Sequence, residues 1–241
     1  MRLLQTMLLS LGLLLTIGSA SATPAAPQSG TDYRTLDKPQ PVDSGKKIEV
    51  TEFFWSSCPH CFAFEPYLTE WVKKHGDTIV FKRVPVNFRE SFIPQQKLHY
   101  ALDAMGKLEE LQPKIFHAIH VDHQSLDTDA AILEFVGKQG VDKQKFTDAY
   151  NAFGTQAKVK RALTLQEAYK IDGVPTIAID GKYETSPSIV GAAMGQQSEA
   201  TLATATLKVM DALVLKAHNE HGAGAAVASK LPAPVKTVVK K

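Results

Sequence analysis

Cys58 and Cys61 are the only cysteines in the 241-residue chain, and they stand three positions apart in FFWSSCPHCFAFEP (Phe53 to Pro66). A secreted domain held together by disulfides carries several well-separated pairs. A bridge across two intervening residues closes a very small loop, worth about 2 kcal/mol at best before strain. As a staple the pair is poor; as a bond made and broken repeatedly it makes sense. The thiolate is the reactive form of cysteine, and three features favour it on Cys58. Small polar residues followed by Pro59 predict a helix start there, where free N–H groups and the helix dipole favour negative charge. His60 can donate a hydrogen bond or carry nearby positive charge. The backbone N–H of Cys61 is within reach. Cys61 is expected to be the more buried, resolving thiol. Stabilising the Cys58 thiolate stabilises the reduced form, so the disulfide becomes a stronger oxidant and Cys58 a better leaving group. Two other readings remain: an inert structural disulfide, and a metal site on Cys58, His60 and Cys61, for which no second cysteine pair is present.

The elements that must position this pair follow from periodicity. Lys47 to Trp55 is β-branched and aromatic and predicts a strand buried on both faces near its end. A helix opened by Ser57 or Cys58 runs to His75-Gly76, with Pro66 expected to kink it. Thr78 to Asn87 predicts the next strand, which completes a βαβ unit with the cysteines at the strand-to-helix junction. A C-x-x-C beside such a unit is a thioredoxin-like signal. From Ile93 to Lys170 the period is helical: Gln95–Met105, Leu108–Ile119 (interrupted near Pro113), Asp129–Lys138 capped by Thr128 or Asp127, Lys143–Phe153 and Gln156–Lys170. After Gly173-Val174-Pro175 come a strand over Thr176–Asp180, a turn at Gly181-Lys182, a returning strand over Tyr183–Thr185 and a last helix over Gln197–Ala217. A short strand is expected near Tyr33–Leu36. The fold class is therefore α/β, of thioredoxin type with an inserted all-helical subdomain. The domain reading is a signal peptide over 1–22, an N-terminal arm over 23–45, the first part of the thioredoxin domain over 46–90, the inserted helical domain over 91–160, the second part over 161–217 and a disordered Ala/Lys/Pro tail over 218–241.

The N-terminal segment bears on the compartment. Arg2 is a short positive start, Leu3 to Ile17 an apolar stretch, and Ala20-Ser21-Ala22 a cleavage site of the A-x-A type. A membrane anchor is the alternative, but the apolar run is short for a spanning helix. No cysteine lies near the cleavage site, which excludes a lipid-anchored lipoprotein. Export to an oxidising compartment follows. The formal charge of +2, less the one from Arg2, is +1 in the mature chain, which argues against nucleic acid or acidic membrane as main partner. About 220 mature residues suffice for one large domain or a small one with an insertion.

EFFWSSCPHCFAFEP, Val86-Asn87-Phe88, the helical insertion and Gly173-Val174-Pro175 together resemble the DsbA family, periplasmic thiol:disulfide oxidases of Gram-negative bacteria. The resemblance covers roughly Tyr33 to Ala217. It implies that Cys58 is the attacking cysteine, Cys61 the buried one, and Pro59-His60 the dipeptide that tunes them. It implies that Pro175 is cis and packs on the disulfide, and that backbone groups of Val174 hydrogen-bond an extended substrate peptide. Glu52 matches a buried acidic residue under the site that assists proton transfer from the buried thiol. Arg83 stands where the family has a lysine, so pairing with Glu52 keeps its sign but not its geometry. The family also implies unfolded exported proteins with free thiols as substrates, reoxidation by a quinone-linked inner-membrane protein of the DsbB type, and no organic cofactor, the Cys58–Cys61 disulfide being the redox group. Two departures stand out. Trp55-Ser56-Ser57 precedes the first cysteine where the best-known member has Ser-Phe-Phe, lowering the hydrophobicity of the surface beside the site. The tail is extra.

Other assignments stay open on the sequence. Alternation in KIEVTEFF also allows Glu52 to face solvent, and Arg83 to be a surface cation. His117, His120 and His123, with Asp122 nearby, could hold a metal or be exposed residues where a helix ends. Phe53, Phe54, Trp55, Phe62, Phe64 and Tyr67 are mostly core, with one or two lining a shallow apolar groove for unfolded chains. Against the disulfide oxidase stand an isomerase or reductase kept reduced by another membrane protein, and a metal carrier using the two thiols. Dimeric isomerases of the superfamily carry an N-terminal dimerisation domain. Roughly 25 mature residues before the first core strand leave no room for a domain, which favours a monomeric oxidase.

Overall fold

Ile48–Phe54 (β2, IEVTEFF) is the axis of the molecule, and all seven of its residues are buried. It pairs in parallel with Ile79–Pro85 (β3) and antiparallel with Thr176–Ile179 (β4). A parallel neighbour needs a crossover, and Pro59–His75 (α1) supplies it. Tyr183–Thr185 (β5) returns from β4, and Arg34–Thr35 (β1) pairs with β5. The sheet order is β1-β5-β4-β2-β3, with β3 at one edge. The computed structural model describes residues 26–228, with side chains to residue 222. The signal peptide read over 1–22 lies outside the described residues.

Helices cover both faces of the sheet, which is why every residue of β2 is buried, the polar Glu49, Thr51 and Glu52 included. On one face Ile48, Val50, Ile177 and Ile179 pack against Leu68 and Trp71 of α1 and against Val209, Met210 and Leu213 of Glu199–Ala228 (α8). On the other, Phe53, Val84 and Ala178 pack against Tyr100 and Ala162. These come from Ile93–Ala104 (α2) and Phe153–Ala168 (α6). The insertion has its own core of Leu98, Leu102, Leu111, Ile115, Ile132, Phe135 and Phe146. It joins α2 to Leu108–His120 (α3), Asp129–Lys138 (α4) and Lys143–Asn151 (α5).

Four details differ from the sequence reading. Pro113 does not interrupt α3. It sits on the solvent face with Glu109, whose carbonyl loses its intrahelical donor but keeps access to water. The α5–α6 break falls at Ala152, in extended conformation, and the Ala149 carbonyl accepts from Thr155 Oγ1 at 2.7 Å as well as from the Ala152 N–H at 3.3 Å. Since α6 is continuous over 153–168, the boundary drawn between 160 and 161 falls inside a helix. A helix that the sequence reading omits, Pro187–Met194 (α7), starts with Ser186 accepting from the Ile189 N–H at 3.0 Å and Pro187 at its first position.

The fourth concerns the tail read as disordered from 218. α8 continues through that boundary to Ala228. Tyr183 Oη donates to Glu220 at 2.6 Å, and His221 Nε2 lies 3.0 Å from Asp180, so the hairpin turn anchors the helix end. That turn is tight, with Asp180 and Gly181 both in the left-handed region of positive φ. A Cβ on Gly181 would run into the Gln40 carbonyl oxygen. Alanine-rich sequence then carries the helix on. A chain truncated after Ala217 loses Glu220 and His221, leaving Asp180, 2% exposed, with fewer partners. We expect a loss of about 1–2 kcal/mol, read as a melting temperature lower by several degrees than the full chain under the same redox conditions.

Candidate active site

β2 ends at Phe54, and the chain turns through Trp55-Ser56-Ser57 before α1 begins. The Cys58 N–H donates to the Trp55 carbonyl at 3.0 Å, closing the turn. Cys58 is the N-cap residue of α1, in extended conformation, and Pro59 follows in the first turn, a position that suits its missing N–H. The sulfur therefore sits where the N–H groups of the first turn have no helical partner. Both cysteines are free thiols in this structure. Cys58 keeps 7% of its surface and Cys61 none, so an incoming sulfur meets Cys58 first.

This asymmetry separates the two thiols electrostatically. Cys58 is pulled down from 9.0 to about 6, first by the hydrogen bond from the Cys61 thiol, then by the backbone N–H groups of Cys61 and His60 and the charge of His60, against the cost of burial. Cys61 is pushed well above 9.0, first by burial, then by its hydrogen bond to Cys58 and the negative charges of Cys58 and Glu52. Val174 precedes Pro175, and the peptide bond between them is cis. The Cys58 thiol points at the Val174 carbonyl oxygen at 3.5 Å. Val174 is half-buried and Pro175 buried. Pro59 and His60 are exposed, with His60 Nδ1 2.7 Å from Glu199 Oε1 at the start of α8.

Beneath Cys61 lies a three-ion array. Glu52 is fully buried, which excludes its solvent-facing alternative. It stands opposite Arg83 in the β2–β3 register, and Arg83 Nε donates to Glu52 Oε2 at 2.8 Å. Arg83 Nη2 donates to Glu65 Oε2 at 2.7 Å, so Arg83 is not a surface cation. Burial pushes Glu52 up, with Arg83 opposing. Burial likewise pushes Glu65 to about 7, again opposed by Arg83 and aided by the charge of Glu52. Two buried carboxylates share one guanidinium, so a proton taken up near neutrality belongs to the pair. Glu65 is not among the residues that the sequence singles out. Its signal was available: four residues after Cys61 on a helix, it lies one turn below it on the same face.

The helical subdomain also reaches the site. His120 Nε2–H donates to the Ser56 carbonyl at 2.9 Å, and the ring stacks on Phe62 with centroids 4.7 Å apart. Gln95 Nε2 donates to Ser57 Oγ at 2.6 Å. The histidine series is thus split: His117 faces Asp122 at 3.2 Å, and His123 lies beyond the helix in the left-handed backbone region. No spacing rule identifies His120, because its partner is 64 residues away. Ser56 is buried at 4% exposure, so the expected polar surface of Ser56-Ser57 reduces to Ser57. Of the aromatic residues, Phe53, Phe54 and Phe64 are core, whereas Trp55, Phe62 and Tyr67 are half-buried. Trp55 stacks on Phe92 at 3.8 Å, and Phe88 beside it is 43% exposed.

Three outcomes are expected from this chemistry. Arg83→Ala leaves two carboxylates buried without their cation and should cost about 3–5 kcal/mol in urea unfolding. The thiolate absorbance of reduced protein should titrate with a midpoint near pH 6. Because the folded value lies below the ordinary 9.0, Cys58 ionisation stabilises the reduced fold. That contribution is fully present above pH 9 and gone below about pH 6. The oxidised form lacks the group. The urea midpoint of reduced relative to oxidised protein should therefore rise from pH 6 to pH 9, before Cys61, displaced the other way, opposes it.

Comparison with known proteins agrees with the geometry. A model of the DSBA-like thioredoxin domain matches residues 83–206. The chain is 48% identical over 214 residues to the thiol:disulfide interchange protein DsbA of Burkholderia cepacia, covering 88% of this chain and 95% of that one. It is 36% identical over 188 residues to the protein of the same name from Pseudomonas aeruginosa, covering 78% and 84%. A crystal structure of Pseudomonas aeruginosa DsbA aligns with a TM-score of 0.73 at 33% identity, covering 81% of this chain and 97% of that one. The chain belongs to the DsbA family, with its thioredoxin fold, and is a thiol:disulfide oxidoreductase.

Proposed function

We propose that this oxidoreductase works as a disulfide donor in the periplasm, oxidising newly exported, unfolded proteins. A substrate thiolate attacks the Cys58 sulfur of the disulfide, the S–S bond breaks, and Cys61 leaves. Cys61 takes up a proton, since burial disfavours its thiolate. Glu52, in the ion array below, assists that proton's passage. A second substrate thiolate then attacks the substrate sulfur of the mixed disulfide, and Cys58 leaves as a thiolate stabilised at the helix start. Two electrons pass from two substrate thiols to the pair. Pro59 and His60 tune Cys58, while the backbone of Val174 beside Pro175 aligns the substrate peptide in extended form. The redox group is the Cys58–Cys61 pair itself, with no further cofactor.

The observation that carries this reading is the placing of Cys58, partly open, at the cap of α1 directly above a fully buried Cys61, which holds Cys58 at about 6 and Cys61 well above 9.0. Such a pair favours its reduced form and gives its disulfide away. Net charge near zero and an apolar rim of Trp55, Phe62, Val174 and Phe88 suit unfolded chains of varied sequence. The reduced dithiol must be reoxidised, and family membership supports a quinone-linked inner-membrane partner of the DsbB type. The segment 1–22 would export the chain, which would act as a monomer. Among the described residues no helix is long and apolar enough to cross a membrane.

The deciding measurement is the equilibrium with glutathione buffers, followed by the fluorescence of Trp55. A pair largely reduced even in oxidising buffer supports the donor. A pair that stays oxidised until the buffer is strongly reducing overturns it in favour of a reductase. With Cys61→Ser, a mixed disulfide between Cys58 and substrate should accumulate on non-reducing gels, and Cys58→Ser should form none.

A further inference from the structure

His60 and Glu199 come from opposite ends of the fold yet meet at 2.7 Å across the mouth of the site. Glu199 is the first residue of α8. Ser198 ahead of it accepts from the Thr201 N–H at 3.2 Å, and its carbonyl accepts from Leu202 at 3.0 Å, so the helix start is well formed. An acidic side chain in a first turn is favoured by the dipole of its own helix, which steadies the Glu199 carboxylate. Gly195, at positive φ, turns the chain between α7 and α8 and brings that start over α1. A carboxylate only accepts, so the proton in the contact resides on His60 Nδ1. The tautomer and the ring plane of His60 are thereby both fixed. The ionisable groups bearing on His60 are Glu199 from α8 and the Cys58 thiol from its own turn. His120 of α3 reaches the active-site turn at the Ser56 carbonyl, and Glu52 bears on Cys61.

We propose that Glu199 is a positioning residue for the redox centre: by holding His60 Nδ1–H it fixes the imidazole beside Cys58 and so sets how strongly oxidising the disulfide is. The proposal rests on the donor reading above and deepens it. His60 is otherwise a freely rotating, exposed side chain, with 64% of its surface in solvent. An imidazole that rotates away contributes less to the thiolate than one held in place. Glu199 does not touch substrate sulfur. Its own negative charge works against the thiolate, so the two effects have opposite signs and an experiment can separate them.

The test uses the full mature chain with Glu199→Ala, Glu199→Gln and His60→Ala, and the double variant of His60→Ala with Glu199→Ala. Positioning predicts that Glu199→Ala moves the Cys58 thiolate titration to higher pH. It also predicts a glutathione equilibrium shifted about three- to tenfold toward oxidised protein, tenfold being about 30 mV for this two-electron couple. Glu199→Gln keeps an acceptor and should stay within about twofold of the parent, since a neutral hydrogen bond still orients the ring. Nitrogen NMR of the His60 ring should show the Nδ1-protonated form in the parent and a mixture in Glu199→Ala. In the His60→Ala background, Glu199→Ala should lose its shift toward oxidised protein and keep only the small opposite shift from the removed charge, which a merely structural role for α8 would not produce. An unchanged equilibrium in Glu199→Ala overturns the proposal, as does a shift toward the reduced protein, because the carboxylate then acts only through its charge. The parent's own equilibrium judges the donor reading independently, so the two fail separately.

Discussion

Everything at this site depends on where one helix starts, because that start sets the Cys61 thiol first, and then two free backbone N–H groups, against the Cys58 sulfur. Cys58 occupies the cap position of α1, where the amides of His60 and Cys61 face its sulfur instead of a carbonyl four residues back. No metal or prosthetic group is needed to make such a sulfur acidic. The requirement is that α1 start at this residue, and several parts of the fold enforce it. Pro59 cannot donate to a preceding carbonyl and favours the first helical position. The Trp55–Cys58 turn fixes the entry. β2 holds the turn in place because both of its faces are covered.

The second constraint is the electrostatic contrast between neighbouring sulfurs. Cys61, one turn into α1, is sealed beneath Cys58 against Phe54 and Phe116. Its thiol gives a hydrogen bond to the Cys58 thiolate and resists ionising itself. Below, the pairing of Glu52 and Glu65 with a single arginine keeps a titratable carboxyl near neutrality without leaving either acid unpaired. Burying these ions gives little stability in itself. What the array supplies is buried negative charge whose field reaches the Cys61 sulfur.

Much of this was legible in the sequence, and the reasons are local. The strand, the cap position, Pro59 and the cysteine spacing are encoded within the stretch Phe53 to Pro66. Glu52 could be named only through the family resemblance, since alternation cannot tell which face of a strand buried on both sides is meant. Glu65 was readable from helical spacing but hidden by the apolar residues around it. His120 and Glu199 were not readable. Each reaches the site through tertiary approach from a distant element, and no local pattern marks a histidine at the end of α3 as a partner of Ser56 or a first-turn acid of α8 as a partner of His60. The α7 helix was missed despite its Ser-Pro start because it is short. The end of α8 was misjudged because alanine and glycine suggest a tail until the partners of Glu220 and His221 are seen.

The edge position of β3 has a consequence for a protein whose family exchanges disulfides with other proteins. From the β2–β3 register, the backbone groups of Val80, Lys82 and Val84 turn inward to β2 and those of Ile79, Phe81, Arg83 and Pro85 turn outward. An open row of amides is a template on which another chain could add a strand, and the oxidoreductase would then aggregate with it. Here the row is short and interrupted. Pro85 has no N–H to offer, and its carbonyl accepts from Gln96 Nε2 at 2.7 Å. Lys82 and Arg83 place charge along the strand. The inserted helices, from which Gln96 comes, therefore act as an edge guard for the sheet as well as a wall for the site.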